Sequence, residues 1–143
     1  MAFPGSGRAA QRYQAVGVAS GIMDATPHRL VQMLLDGAVE KVATAKGAME
    51  RQDIPEKGRF IVWAITIIGG LRSSLDLARG GEIAANLDSL YEYMERRLTA
   101  ANIENDPAIL TEVGSLLAEI RDAWAAMPNE VKLGMPTEPA AVR

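Results

Sequence analysis

His28 is the only histidine in the chain, and there is no cysteine. Those two counts decide most of the chemistry. Carboxylate-bridged di-metal sites in helical proteins need Glu-x-x-His pairs on two helices, which one histidine cannot supply. Zinc prefers histidine and thiolate ligands, and the same shortage disfavours it. Without cysteine there are no disulfides, thiolate sites or cysteine nucleophiles. Ser73 and Ser74 have no histidine near them in sequence, so a serine triad lacks its base. The stretch Gly69-Gly70-Leu71-Arg72-Ser73-Ser74 has neither the spacing nor the lysine of a phosphate loop, and it falls inside a helical pattern. Carboxylates are numerous but scattered over polar helix faces. The residues point to no cofactor, no metal and no enzymatic reaction, and His28 reads as a partly exposed helix-start residue.

Nucleic-acid binding has as little support. The net charge is −3 and the sequence pI is near 5.2, so there is no bulk basic field. The adjacent pair Arg96-Arg97 is flanked by Glu92 and Glu95, a pattern suited to ion pairs along a helix. The longest apolar run, Phe60 to Ile68, is about half of the ~20 residues a membrane span needs. Met1 to Arg8 lacks the apolar stretch of a secretory signal. The expected location is the cytoplasm, with no membrane insertion.

Four segments with helical periodicity must carry whatever these residues do. The first opens on Thr26-Pro27, a capping side chain followed by a proline suited to the first turn. Val31, Leu35, Ala38, Val42, Ala45 and Met49 follow at spacings of 4, 3, 4, 3 and 4, the seam of a helix packed lengthwise on others. The second begins after Asp53, with Pro55 in its first turn, and is expected to stop at Gly80-Gly81. The third starts near Glu82 with a seam of Ile83, Leu87, Leu90, Met94, Leu98 and Ala101. The fourth opens on Asp106-Pro107, buries Ile109, Val113, Leu116, Ile120, Trp124 and Met127, and is closed by Pro128. Short connections force neighbouring helices to run antiparallel. The expected fold is all-α, an antiparallel up-down four-helix bundle over residues 26–128. Residues 1–25 are expected to form a mobile N-terminal arm or short helix, and residues 129–143, with their prolines, a disordered tail.

The second helix carries more apolar surface than one seam requires. Ile61, Ile65, Ile68, Leu71, Leu75 and Ala78 supply the seam, while Phe60, Trp63, Ile67 and Leu71 form a second row beside it, widened by Val62. Two readings fit: the most buried helix of the bundle, or one wall of a groove for a partner's amphipathic helix. Tyr13 poses a parallel choice. Isolated in a small-residue arm, it either docks within the chain or anchors an interface.

The run Gly80-Gly81-Glu82-Ile83-Ala84-Ala85-Asn86-Leu87-Asp88-Ser89-Leu90-Tyr91-Glu92-Tyr93-Met94-Glu95-Arg96-Arg97-Leu98, with Ala101-Asn102, resembles the signature of the FliS flagellin chaperones. Thr26-Pro27-His28-Arg29-Leu30 with Met33 to Ala38 is similar to that family's first helix. Glu112-Val113, Leu116-Leu117, Ile120 and Ala123-Trp124 are similar to its last. The resemblance covers about residues 11 to 127 in the family's order. It implies a four-helix bundle that binds the disordered C-terminal segment of flagellin, prevents premature polymerisation and helps deliver the client to the type III export gate. It also implies a client-binding role for an arm tyrosine, matched here by Tyr13 ahead of Val16. This chain has Ala10 where the family often has a larger aliphatic residue. The client-contact candidates are Phe60, Trp63, Ile67 and Leu71 from the periodicity of the second helix, with Tyr13 and the nearby Val16 from the resemblance, in a monomer or weak homodimer. The rival reading is a structural or adaptor bundle that self-associates through the wide second helix.

Overall fold

The computed structural model describes residues 26–127, and all of it is built from four helices and short turns. They are α1 (Pro27–Glu50), α2 (Ile54–Ser73), α3 (Leu77–Glu104) and α4 (Pro107–Ala126). Each begins on a side-chain cap. Thr26 Oγ1 accepts from the Arg29 N–H at 3.1 Å, Asp53 Oδ1 from Glu56 at 3.3 Å, Asp76 Oδ1 from Arg79 at 3.1 Å and Asp106 Oδ1 from Ala108 at 3.0 Å. These bonds satisfy amides that have no partner within the helix. Pro27, Pro55 and Pro107 occupy first turns, where a missing N–H costs nothing.

Contacts fix the direction of every neighbour. Lys41 of α1 reaches Trp63 of α2, and the start of α2 at Lys57 meets the end of α3 at Asn102. Arg72 at the end of α2 meets Asp88 near the start of α3, and His28 at the start of α1 meets Trp124 near the end of α4. Each helix therefore runs antiparallel to its two neighbours. The ring closes because α1 also packs on α4, and α3 on both α2 and α4. The expected up-down bundle is the observed one.

The core is one continuous cluster with contributions from all four helices. Leu35, Ala38 and Val42 of α1 lie against Ile61, Ile68 and Leu71 of α2, Met94 and Leu98 of α3, and Val113 and Leu117 of α4. Burying each large aliphatic side chain stabilises the fold by about 1.5–3 kcal/mol before conformational entropy is counted. In α1 the expected seam is buried as read, apart from the half-buried Val31.

Two expectations are corrected. The second helix ends at Ser73, seven residues before Gly80-Gly81, because Asp76 caps a new turn beginning at Leu77. The paired glycines lie inside α3, where Gly81 has φ 59° and ψ −134° and the helix kinks before resuming at Glu82. The third seam also fails at its first residue. Ala84, Tyr91, Met94, Leu98 and Ala101 face inward, Leu87 and Leu90 are half-buried, and Ile83 is exposed. Ile83 stands two residues after the kink at Gly81, and the rest of the seam from Leu87 to Ala101 packs in or against the core. The expected arm (1–25), tail (129–143) and closing Pro128 lie outside the described residues.

Candidate protein-binding surfaces

Ion pairs and hydrogen bonds stitch α3 to α2 at two places and to α4 at one, and each serves positioning. Lys57 is only 4% exposed, and its ammonium donates to the Asn102 carbonyl at 2.8 Å, one of the last carbonyls of α3. A cation at a helix C-terminus satisfies an orphan acceptor and opposes the helix dipole. Arg72 donates through Nε to Asp88 at 2.9 Å and through Nη1 to Glu95 at 2.9 Å. The bond to Asp88, chiefly, raises its pKa further above the ordinary value. On the α3–α4 side the Tyr93 hydroxyl and Arg97 Nε both donate to Glu112, the latter at 3.0 Å. Tyr93 first, then Arg97, holds the Glu112 carboxyl below its usual range.

None of these groups converges with a nucleophile. Among the described residues no helix is long and apolar enough to cross a membrane, and no group of His, Cys, Asp and Glu could hold a metal ion. His28 is half-buried at the start of α1, its ring stacked on Trp124 at 5.4 Å between centroids. Its backbone carbonyl accepts from the Trp124 indole N–H at 3.1 Å.

Two apolar surface features remain. The first is an aromatic shelf on the outer edge of α2. Phe60 and Trp63 stack at 5.6 Å with 15° between their planes, Trp63 is 38% exposed, and Val62 beside it is exposed. Lys41 of α1 sits 4.3 Å over the Trp63 ring, and the Arg59 guanidinium lies 4.5 Å from Phe60. These cations add attraction to the ring faces and leave the outer edges accessible.

Two members of the expected row do not join this shelf. Ile67 is 2% exposed, and a Cβ built on Gly37 of α1 would lie 3.6 Å from its Cδ1, so it points between helices. Leu71 is likewise buried in the core cluster. The reason is the corner position of α2, which packs on both α1 and α3 and must bury a face wider than one seam. Ile67 and Leu71 are thus buried between helices. Phe60 and Trp63, two turns and one turn before Ile67, stay at the rim. Tyr13 and Val16 lie outside the described residues.

The second feature is an apolar cleft at the end of the bundle where α1 begins. Val31 and Leu35 line it from α1, Leu71 and Leu75 from the end of α2, Ala84, Leu87 and Tyr91 from α3, and Ile120 and Trp124 from α4. Its cavity volume is about 30 Å³, and it is only partly open to solvent. Burial of Tyr91 against this wall pushes its hydroxyl pKa up to about 12. The α2 pattern did not disclose the cleft, because its walls come from four separate segments of sequence. The departure of Tyr91 from the Leu87–Leu90–Met94 seam was the available signal.

Fold and surface together define an all-helical bundle with apolar features at its surface and no reactive centre among the described residues. Sequence comparison makes the class specific. Residues 9–131 match the profile of the family described as flagellar protein FliS. The chain is 54% identical over 117 residues to the flagellar secretion chaperone FliSB of Pseudomonas aeruginosa, covering 82% of this chain and 93% of that one. It is 44% identical over 120 residues to the flagellar secretion chaperone FliS of Vibrio cholerae, covering 84% and 88%. With FliS of Salmonella typhimurium the identity is 46% over 113 residues, covering 78% and 84%. This chain belongs to the FliS family of flagellar secretion chaperones.

Proposed function

We propose that the chain binds the disordered C-terminal segment of flagellin in the cytoplasm, keeps it from polymerising early and aids its delivery to the type III export apparatus. The carrying observation is the shelf of Phe60, Trp63 and Val62, large apolar groups held at the rim of a bundle whose core is already filled. An amphipathic client segment that covers its apolar face on this shelf is unavailable to the next flagellin subunit. Competition of this kind needs no ATP and no covalent step. Ordering a disordered client costs about 2–5 kcal/mol. At roughly 25 cal/mol per Å² that cost is offset by about 80–200 Å² of extra apolar burial, which one tryptophan-sized anchor supplies. Tyr13 and Val16 are proposed as further contacts on the strength of the family resemblance alone.

Isothermal titration with a flagellin C-terminal peptide tests this reading. The expected result is binding with a negative heat-capacity change, weakened at least tenfold (about 1.4 kcal/mol) by Trp63→Glu while helical circular dichroism is retained. No binding to the unmodified chain sinks the function, whereas unchanged binding by the variant sinks only the shelf. Light scattering that finds a dimer indifferent to the peptide would favour the adaptor reading.

A further inference from the structure

The corner between α2 and α3 is the least regular part of the bundle. Ser74 ends α2, Asp76 caps a single turn, and Gly81 then interrupts the helix with φ 59° and ψ −134°. That backbone conformation is open to glycine and strained for other residues. A Cβ at position 81 would meet nothing within 4 Å, so the restriction is purely torsional. Leu77 and Ile83, on either side of the break, are both exposed aliphatic side chains.

The corner is fastened at its base. Arg72 Nε and Nη2 donate to the two carboxylate oxygens of Asp88 at 2.9 and 3.4 Å, and Nη1 donates to Glu95 at 2.9 Å. Residues 73–87 thus start and finish at one two-pronged ion pair. Behind them lies the apolar cleft. Ser74, Leu75, Ala84 and Leu87 of the corner form its outer wall, while Val31, Leu35, Ile120 and Trp124 belong to α1 and α4. Bending the corner at Gly81, once its base is released, would widen the mouth of the cleft and leave α1, α4 and most of α2 and α3 packed. We infer that residues 73–87 are a flap, hinged at Gly81 and fastened by Arg72 to Asp88, whose opening exposes the apolar cleft. The inference concerns access to the cleft, and it stands whether or not the proposed client uses it.

The absence of cysteine makes a clean test. Ala84→Cys places a thiol on the cleft wall at a site 1% exposed, and Ala64→Cys places one in the α2 core at a site 0% exposed. A maleimide reaches either only when the structure opens. Local opening has a lower free energy than global unfolding, so the thiol at 84 is expected to react roughly 100-fold faster than the one at 64. Adding Gly81→Ala strains the closed flap, and the rate at 84 is expected to rise about tenfold with little change at 64. Equal rates at the two sites overturn the flap. A Gly81→Ala effect that is absent, or equal at both sites, overturns the hinge. Hydrogen exchange on the unmodified chain gives a reading free of substitutions. Amides of residues 82–87 should exchange faster than those of 61–71, and equal protection again overturns the proposal.

In the same assay a saturating flagellin peptide that slows the reaction at 84 places the proposed client over the flap. A peptide that binds without slowing it places the client elsewhere and leaves the flap intact.

Discussion

Trp63 and Ile67 are four residues apart on one helix and have opposite environments. Ile67 has α1 on its outer side and is sealed, so Ile67→Ala leaves a cavity and is expected to cost about 2–5 kcal/mol in urea unfolding. Trp63 loses only its stacking on Phe60 and the cover of Lys41 when truncated. Trp63→Ala should cost less than half as much, and equal costs would mean that the shelf is core. Tyr91 offers a test by pH. Its folded pKa of about 12 lies above the ordinary 10.0, so the folded chain favours the neutral phenol. The associated stability is complete below about pH 10 and is lost as the pH rises towards 12. Tyr91→Phe is expected to flatten that alkaline loss of stability, and a variant that still loses stability as steeply would move the cause elsewhere.

At the scale of elements, the cross-helix bonds give two more expectations. Lys57→Met keeps the length of the side chain but leaves the Asn102 carbonyl without its donor, at a cost of about 1–3 kcal/mol. The urea midpoint should fall while the slope is unchanged. Glu112 has a lowered folded pKa, so its contribution is present above the ordinary 4.5 and disappears as the pH falls through the lower folded value. Glu112→Gln should therefore show a smaller stability difference between about pH 7 and about pH 3 than the parent chain. An equal difference would leave the Tyr93–Glu112–Arg97 contact without effect on folding.

Helix starts were the most legible elements, because Thr26, Asp53 and Asp106 each stand one or two residues before a proline, and a cap is a local interaction. The end of α2 departs from the glycine signal for the complementary reason. Asp76 gives the same local signal without a proline, and the paired glycines overshadowed it. The width of the α2 face was visible in sequence, but its division into buried Ile67 and accessible Trp63 depends on where α1 lies. That is a tertiary fact which periodicity does not contain. The cleft was least legible, since Val31, Leu71, Tyr91 and Trp124 meet only after all four helices have packed.

At the scale of the molecule, the described core is closed by residues from within 26–127. Leu34 to Met49, Ile61 to Leu71, Tyr91 to Ala101 and Ile109 to Trp124 form one cluster, and every pair of neighbouring helices shares part of it. The covalent order adds to this cooperativity. The three connections are tight, with Gln52 at φ 64° and Asn105 at φ 53° turning the chain within a few residues, so each helix is held close to the next one before packing begins. A bundle of this kind has no helix that can leave without exposing part of the shared cluster, although the α2–α3 corner can open by itself. Residues 26–127 expressed alone are accordingly expected to unfold in a single cooperative transition in urea, with a slope of about 1–3 kcal/mol per molar. Circular dichroism and tryptophan fluorescence should give coincident curves, with Trp63 reporting from the middle of α2 and Trp124 from the end of α4. Separate midpoints for the two probes would show that the corner and cleft unfold as an independent unit. A fragment that fails to fold at all would place part of the core in the segments outside 26–127.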